Sequence, residues 1–136
     1  MDIKRELTKA ESEVMQILWK KKQAFVQEII DEMPIPKPAY NTVSTVVRVL
    51  EQKGMVSHEA FGRAHRYFPT INKEAYTRGF MKNVMTNYFG NSLSQMVSFF
   101  TRQENLSIKE MEEIKHLMEQ KIKANKRSRT KKQITQ

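Results

Sequence analysis

The chain contains no cysteine, which removes disulfides and thiolate metal sites together and agrees with a reducing compartment. No apolar run approaches the ~18 residues that a membrane-crossing helix needs. The opening residues, Met1 to Leu7, carry charge where an export signal would be apolar. A cytoplasmic protein with no membrane insertion is expected. The three histidines, His58, His65 and His116, are scattered. No nucleophile elbow, phosphate-cradling Gly-rich loop or paired-acid motif accompanies them. No catalytic residue, metal or cofactor is expected, so the chain reads as a binding protein rather than an enzyme. Its 136 residues leave room for one ordinary domain, or for a small domain plus a helical module that needs a partner.

What is present is positive charge, unevenly placed. The net charge is +9, but seven of the 24 basic residues lie in one tail: Lys121, Lys123, Lys126, Arg127, Arg129, Lys131 and Lys132. No acid follows Glu119, so without those seven the body holds 17 bases against 15 acids, a net of +2. Most of this basic stretch, the tail over residues 124–136, has almost no apolar content and is expected to be disordered when free. The case for a nucleic-acid partner must therefore come from pattern rather than from total charge.

Thr8 and Glu11 have the spacing of a capping box, which predicts a helix start. Leu7, Ala10, Val14, Ile17 and Leu18 then share one helical face. Val26, Ile29, Ile30 and Met33 form a shorter stripe, and Pro34, Pro36 and Pro38 forbid continuous helix up to Ala39. From Tyr40 the apolar residues Val43, Val46, Val47 and Leu50 recur at helical spacing, with Gly54 placed as a C-terminal cap. Met55 to Phe61 and Ala64 to Pro69 are β-prone runs around Gly62-Arg63 and predict a hairpin. Beyond Ile71 the pattern is helical again: one helix capped by Asn72 and ended by Gly90, one capped by Asn91 or Ser92, and one opening on Ser107 and Glu110 and carrying its apolar face to Ile122.

Helix, helix, Pro-rich turn, helix, hairpin is the order of a winged helix-turn-helix, whose third helix enters a major groove. The fold class is mainly α with a small β-hairpin: a winged-helix domain over residues 1–71, a three-helix dimerisation module over 72–123, and the tail. If the apolar stripe of the third helix faces the core, Asn41, Ser44, Thr45 and Arg48 face outward, with Tyr40 and Thr42 at the helix start. These are groups that pair with base edges and phosphates, and from Pro34 to Arg48 there is no acid to repel a phosphate. A solvated face would ordinarily carry Glu, Lys, Gln and Ala instead. Arg63, His65 and Arg66 on the hairpin are candidates for phosphate contact. Two alternatives remain open: a winged helix used to bind protein, and a nonspecific nucleoid binder acting through the basic tail.

The C-terminal helices are too few to bury their own apolar faces, and the simplest cover is a second copy of the chain. Phe80, Val84, Tyr88, Met96, Phe100, Met111, Ile114, Leu117 and Met118 are the expected dimerisation residues.

The sequence resembles the BlaI/MecI/CopY penicillinase-repressor family over about residues 5–120. The marks are Leu7-Thr8-Lys9-Ala10-Glu11 leading to Val14-Met15 and Leu18-Trp19, then Tyr40-Asn41-Thr42-Val43 with Thr45, then Leu50-Glu51-Gln52-Lys53-Gly54-Met55-Val56. The acidic run Lys109-Glu110-Met111-Glu112-Glu113-Ile114 closes the set. The resemblance implies a winged helix, a helical dimerisation domain and repression by binding double-stranded operator DNA. Many members carry a basic residue just before the leucine that is Leu50 here, where this chain has Val49, with Arg48 one step earlier. The cysteine pairs of the copper-responsive branch are absent. The antibiotic-responsive branch is inactivated when a membrane-anchored sensor protease cuts an Asn-Phe bond. The corresponding pair here is Phe99-Phe100, which does not meet that rule.

Overall fold

The computed structural model describes residues 6–103 and 106–134. Most of the charged N-terminal stretch discussed above, residues 1–5, lies outside it, as do the side chains of Lys131 and Lys132. The chain forms two compact units, Met1–Asn87 and Tyr88–Gln136.

In the first unit, α1 (Lys9–Lys21), α2 (Val26–Asp31) and α3 (Tyr40–Gln52) pack with a three-stranded antiparallel sheet of β1 (Ala24–Phe25), β2 (Val56–Phe61) and β3 (Ala64–Pro69), in the order β1-β3-β2. This is a winged helix. The predicted capping box opens α1: Thr8 Oγ1 accepts from the Glu11 amide at 3.2 Å, and Glu11 Oε1 accepts from the Thr8 amide at 2.9 Å. Two orphan donors at the helix start are thereby satisfied. The same Glu11 carboxylate meets Lys53 Nζ at 2.6 Å, which ties the start of α1 to the end of α3. Gly54, at a φ of 78°, ends α3 with the Met55 amide bonded back to the Leu50 carbonyl, the left-handed stop that a glycine permits without strain.

The core holds Val14, Met15 and Leu18 from α1, Ala24, Val26, Ile29 and Ile30 around α2, and Val43, Val47 and Leu50 from α3. Met55, Val56 and Tyr67 close it from the sheet. The predicted face of α1 is rotated slightly in the structure. Ala10 is exposed, while Met15 is fully buried and Glu11, a charged residue, is 5% exposed. The box and Lys53 make that burial tolerable, because every buried carboxylate must be hydrogen-bonded or paired. Strand β1 is absent from the sequence pattern: its two residues pair with Tyr67 and Arg66 of β3, a partner more than forty positions away.

The three later helices are α4 (Lys73–Phe89), α5 (Leu93–Gln103) and α6 (Ile108–Ile134). Their predicted caps are in place: Asn72 Oδ1 accepts from the Ala75 amide, Ser92 Oγ from Gln95 and Ser107 Oγ from Glu110. Helix α4 belongs to the winged-helix unit as far as Asn87. Trp19 Nε1 donates to the Ile71 carbonyl at 2.8 Å and its ring lies 5.6 Å from that of Tyr76. The division between units thus falls inside α4, not at residues 71 and 72. The expectation of a disordered tail is also corrected, since α6 runs on through residues 124–134. Among the described residues, none after Tyr67 is buried.

Candidate nucleic-acid interface

Helix α3 divides into two faces. Val43, Val47 and Leu50 are at most 2% exposed, and burying each aliphatic side chain contributes about 1.5–3 kcal/mol, which fixes the rotation of the helix. That rotation leaves Tyr40, Asn41, Thr42, Thr45 and Arg48 exposed, with Ser44 partly so. The six predicted reading residues are brought together on one surface. Thr45 Oγ1 donates to the Asn41 carbonyl at 2.9 Å and Arg48 Nε to the Ser44 carbonyl at 3.4 Å. Both side chains are thereby held along the helix, while the threonine methyl and the terminal guanidinium nitrogens remain free of these bonds. The N-cap is Ala39, which supplies no side-chain acceptor, and the first turn has no acid. The positive end of the helix dipole is left available to an anion such as a phosphate.

Lys37 lies just before this helix and makes three bonds from one ammonium, to the carbonyls of Ile30 at 3.1 Å, Asp31 at 3.0 Å and Met33 at 2.8 Å. It caps the C-terminus of α2 and so shapes the turn that delivers α3. A basic residue between two helices of a DNA-reading motif looks like a phosphate contact in sequence; here its role is to satisfy orphan carbonyls.

The wing pairs Val56 with Pro69 through Phe61 with Ala64. Gly62 has a φ of 62°, as a two-residue hairpin connection requires at its first position. Arg63 is exposed at the tip. The pleat sends His65 and Arg66 to opposite faces, so the three predicted wing contacts do not form one patch. Arg66 Nη2 pairs with Glu59 at 3.2 Å, and its guanidinium stacks over Phe61, 4.6 Å from the ring centroid. His65 stacks on His58, with ring centroids 4.1 Å apart, beside Tyr67.

His58 Nδ1 lies 2.6 Å from Glu51 Oε2, which links the last turn of α3 to β2. Tyr67 sits 4% exposed near this junction. Burial pushes its hydroxyl pKa up, the charge of Glu51 and nearby Tyr40 push the same way, and Arg48 opposes them. Glu51, His58 and Tyr67 were not among the predicted residues. The hairpin register was the available signal, because a two-residue loop at Gly62-Arg63 sets Glu59 opposite Arg66 and His58 opposite Tyr67. On the wing, the Arg66 guanidinium against Glu59 reduces that acid's repulsion of a polyanion.

The predicted dimerisation residues also have definite places. Tyr76 and Phe80 stack along α4. Phe100, Met111, Ile114, Leu117 and Met118 are between 41% and 56% exposed, Tyr88 is 76% exposed, and Val84 and Met96 are partly covered. Met96, Phe100, Leu106, Met111 and Ile114 line an open apolar groove on α5 and α6. The Phe99-Phe100 pair lies within helical α5. Among the described residues, no group of three His, Asp or Glu side chains is placed to hold a metal ion, and no helix is long and apolar enough to cross a membrane.

A winged helix whose third helix presents a polar, acid-free face can be compared with known proteins. The family model described as Penicillinase repressor matches residues 7–120. The chain belongs to the penicillinase repressor family. It is 27% identical over 117 residues to the methicillin resistance regulatory protein MecI of Staphylococcus aureus (strain N315), covering 85% of this chain and 95% of that protein. It is 27% identical over 116 residues to the penicillinase repressor of Bacillus licheniformis, covering 85% and 91%. The solution structure of the DNA-binding domain of the repressor BlaI is 30% identical to it, covers 54% of this chain and 90% of that one, and superposes with a TM-score of 0.46. As a member of this family the chain is a DNA-binding transcriptional repressor, and the family is one of regulators rather than enzymes.

Proposed function

We propose that this repressor acts as a homodimer on a pseudo-palindromic operator, with α3 of each copy in a major groove and Arg63 of each wing on a phosphate. The observation that carries the reading is the α3 surface itself: Asn41, Ser44, Thr45 and Arg48 opposite a buried apolar stripe, on a helix whose positive end has no side-chain cap. Arg48 is suited to guanine, Asn41 to adenine, and the Thr45 methyl to a thymine methyl. The second copy is called for by α5 and α6, on which no described residue is buried. A two-fold pair of such modules reads half-sites one helical turn, about 34–36 Å, apart.

The test is binding to promoter fragments of the source genome at physiological salt, by mobility shift, with random duplex as competitor. Thr45→Ala and Arg48→Ala should each weaken specific binding by about 1–3 kcal/mol with no loss of folded protein. Equal losses on specific and random DNA would remove these residues from sequence reading, and no preference for any fragment would favour the protein-binding alternative. Relief by a membrane-anchored sensor protease cutting at Phe99-Phe100 belongs to the same proposal. Because that bond sits in a helix, cleavage must pass through local opening of α5. Mass spectrometry of the chain during derepression should then find fragments ending at Phe99, and a chain that stays intact throughout would sink the idea.

A further inference from the structure

Three changes coincide near residue 120. The family match ends there, Glu119 is the last acid of the chain, and the apolar stripe of α6 gives out at Ile122. The helix does not stop; it continues to Ile134 with seven basic residues and no acid. Lys121, Lys123, Lys126, Arg127 and Arg129 are all exposed. The basic half of α6 therefore lies beyond the stretch that the family model matches.

We propose that this half of α6 is a second, sequence-independent contact to double-stranded DNA, engaging the phosphates that flank the operator; the proposal rests on the DNA-binding function already described. Its charge spacing argues for a ligand. Lys123 and Arg127 stand four apart, so like charges are neighbours on the helix surface and destabilise it when alone. A polyanion relieves that repulsion.

The distribution of the bases selects among polyanions. Between Lys123 and Gln133 the only apolar residue is Ala124, so there is no apolar face to sink into a lipid headgroup layer, as an interfacial helix requires. Residues 121–134 span about 20 Å at 1.5 Å per residue. A duplex carries one charge per about 1.7 Å of axis, so roughly a dozen phosphate charges lie along that length.

The experiment compares the full chain with a full-length variant in which Lys121, Lys123, Lys126, Arg127 and Arg129 are replaced by Gln, which keeps good helix propensity. Binding to a random-sequence duplex is followed by fluorescence anisotropy across a salt series. Circular dichroism and sedimentation establish that the two proteins share fold and assembly state. The slope of log affinity against log salt should become shallower in the variant by roughly 3 to 4.5 for each tail on the DNA, at about 0.9 per phosphate contact. Random-duplex affinity near 0.1 M salt should fall on the order of tenfold or more. A Thr45→Ala, Arg48→Ala protein should keep the tail-dependent part of the slope, which separates this contact from the α3 surface. An unchanged slope overturns the proposal while leaving specific promoter binding intact as the measure of repressor function. Tail-dependent binding to vesicles of three parts phosphatidylcholine to one part phosphatidylserine, with no tail effect on DNA, overturns it in favour of a membrane surface.

Discussion

The carboxylate of Glu11 shows how much one residue can be asked to do. It closes the capping box of α1 and receives Lys53 from the end of α3 while almost wholly buried. Burial pushes its pKa up, but the Lys53 ammonium and the Thr8 amide outweigh burial and hold it below the ordinary carboxylate value. The folded state therefore favours the ionised form. The stabilisation is present in full above the unfolded carboxylate range and is lost as pH falls through the lowered folded value. Lys53→Met should cost about 2–3 kcal/mol in denaturant unfolding at neutral pH, somewhat less than breaking a fully buried pair, since Lys53 is partly exposed. In Glu11→Gln the loss of stability on acidification below pH ~4.5 should be smaller than in the parent. Identical acid profiles for the two would show that this pair does not govern the low-pH limit.

Elements differ in how far their causes are local, and that decides what could be read from sequence. The helix starts at Thr8, Asn72 and Ser107 and the stop at Gly54 depend on partners within a few residues, so spacing alone located them, and it narrowed the start of α5 to Asn91 or Ser92. The outward face of α3 was legible for the same reason, because a buried stripe fixes its opposite. Strand β1 and the Glu51–His58 link depend on contacts made only when the sheet closes, and no window of sequence contains both partners of β1. The length of α6 was misread because low apolar content argues for disorder, whereas Lys, Arg, Ala and Gln are good helix formers.

Two elements yield tests of their own. Lys37→Met strips the carbonyls of Ile30 and Asp31 at the end of α2, and of Met33 just beyond it, of their common donor, and the expected cost is about 1–2 kcal/mol in thermal or denaturant unfolding. No change would mean that water serves those carbonyls equally well. At the wing, Arg63→Ala should leave stability unchanged and reduce the salt slope of DNA binding by about 0.9 for each wing on the DNA. An unaltered slope would take the tip off the phosphate backbone.

At the scale of the whole molecule, the winged helix has a closed core, whereas among the described residues of the helical unit none is buried. Phe100→Asp or Leu117→Asp should therefore leave the core of the winged helix in place while sedimentation shows monomers in place of dimers. Operator affinity should fall by at least tenfold, since a single reading helix gives up its tethered partner. Dimers that persist in both variants would place the interface elsewhere. Val47 and Leu50, by contrast, report on the first unit alone, because they lie in its core.

That exposed apolar face has a consequence for control. If two chains must meet before either reads an operator well, then below the dimer dissociation constant the concentration of competent repressor follows the square of chain number. A modest drop in synthesis, or cleavage of a minority of chains, would then empty operators more steeply than the drop itself. The uncovered surface of α5 and α6 would make a gradual change in abundance into a sharp transcriptional response.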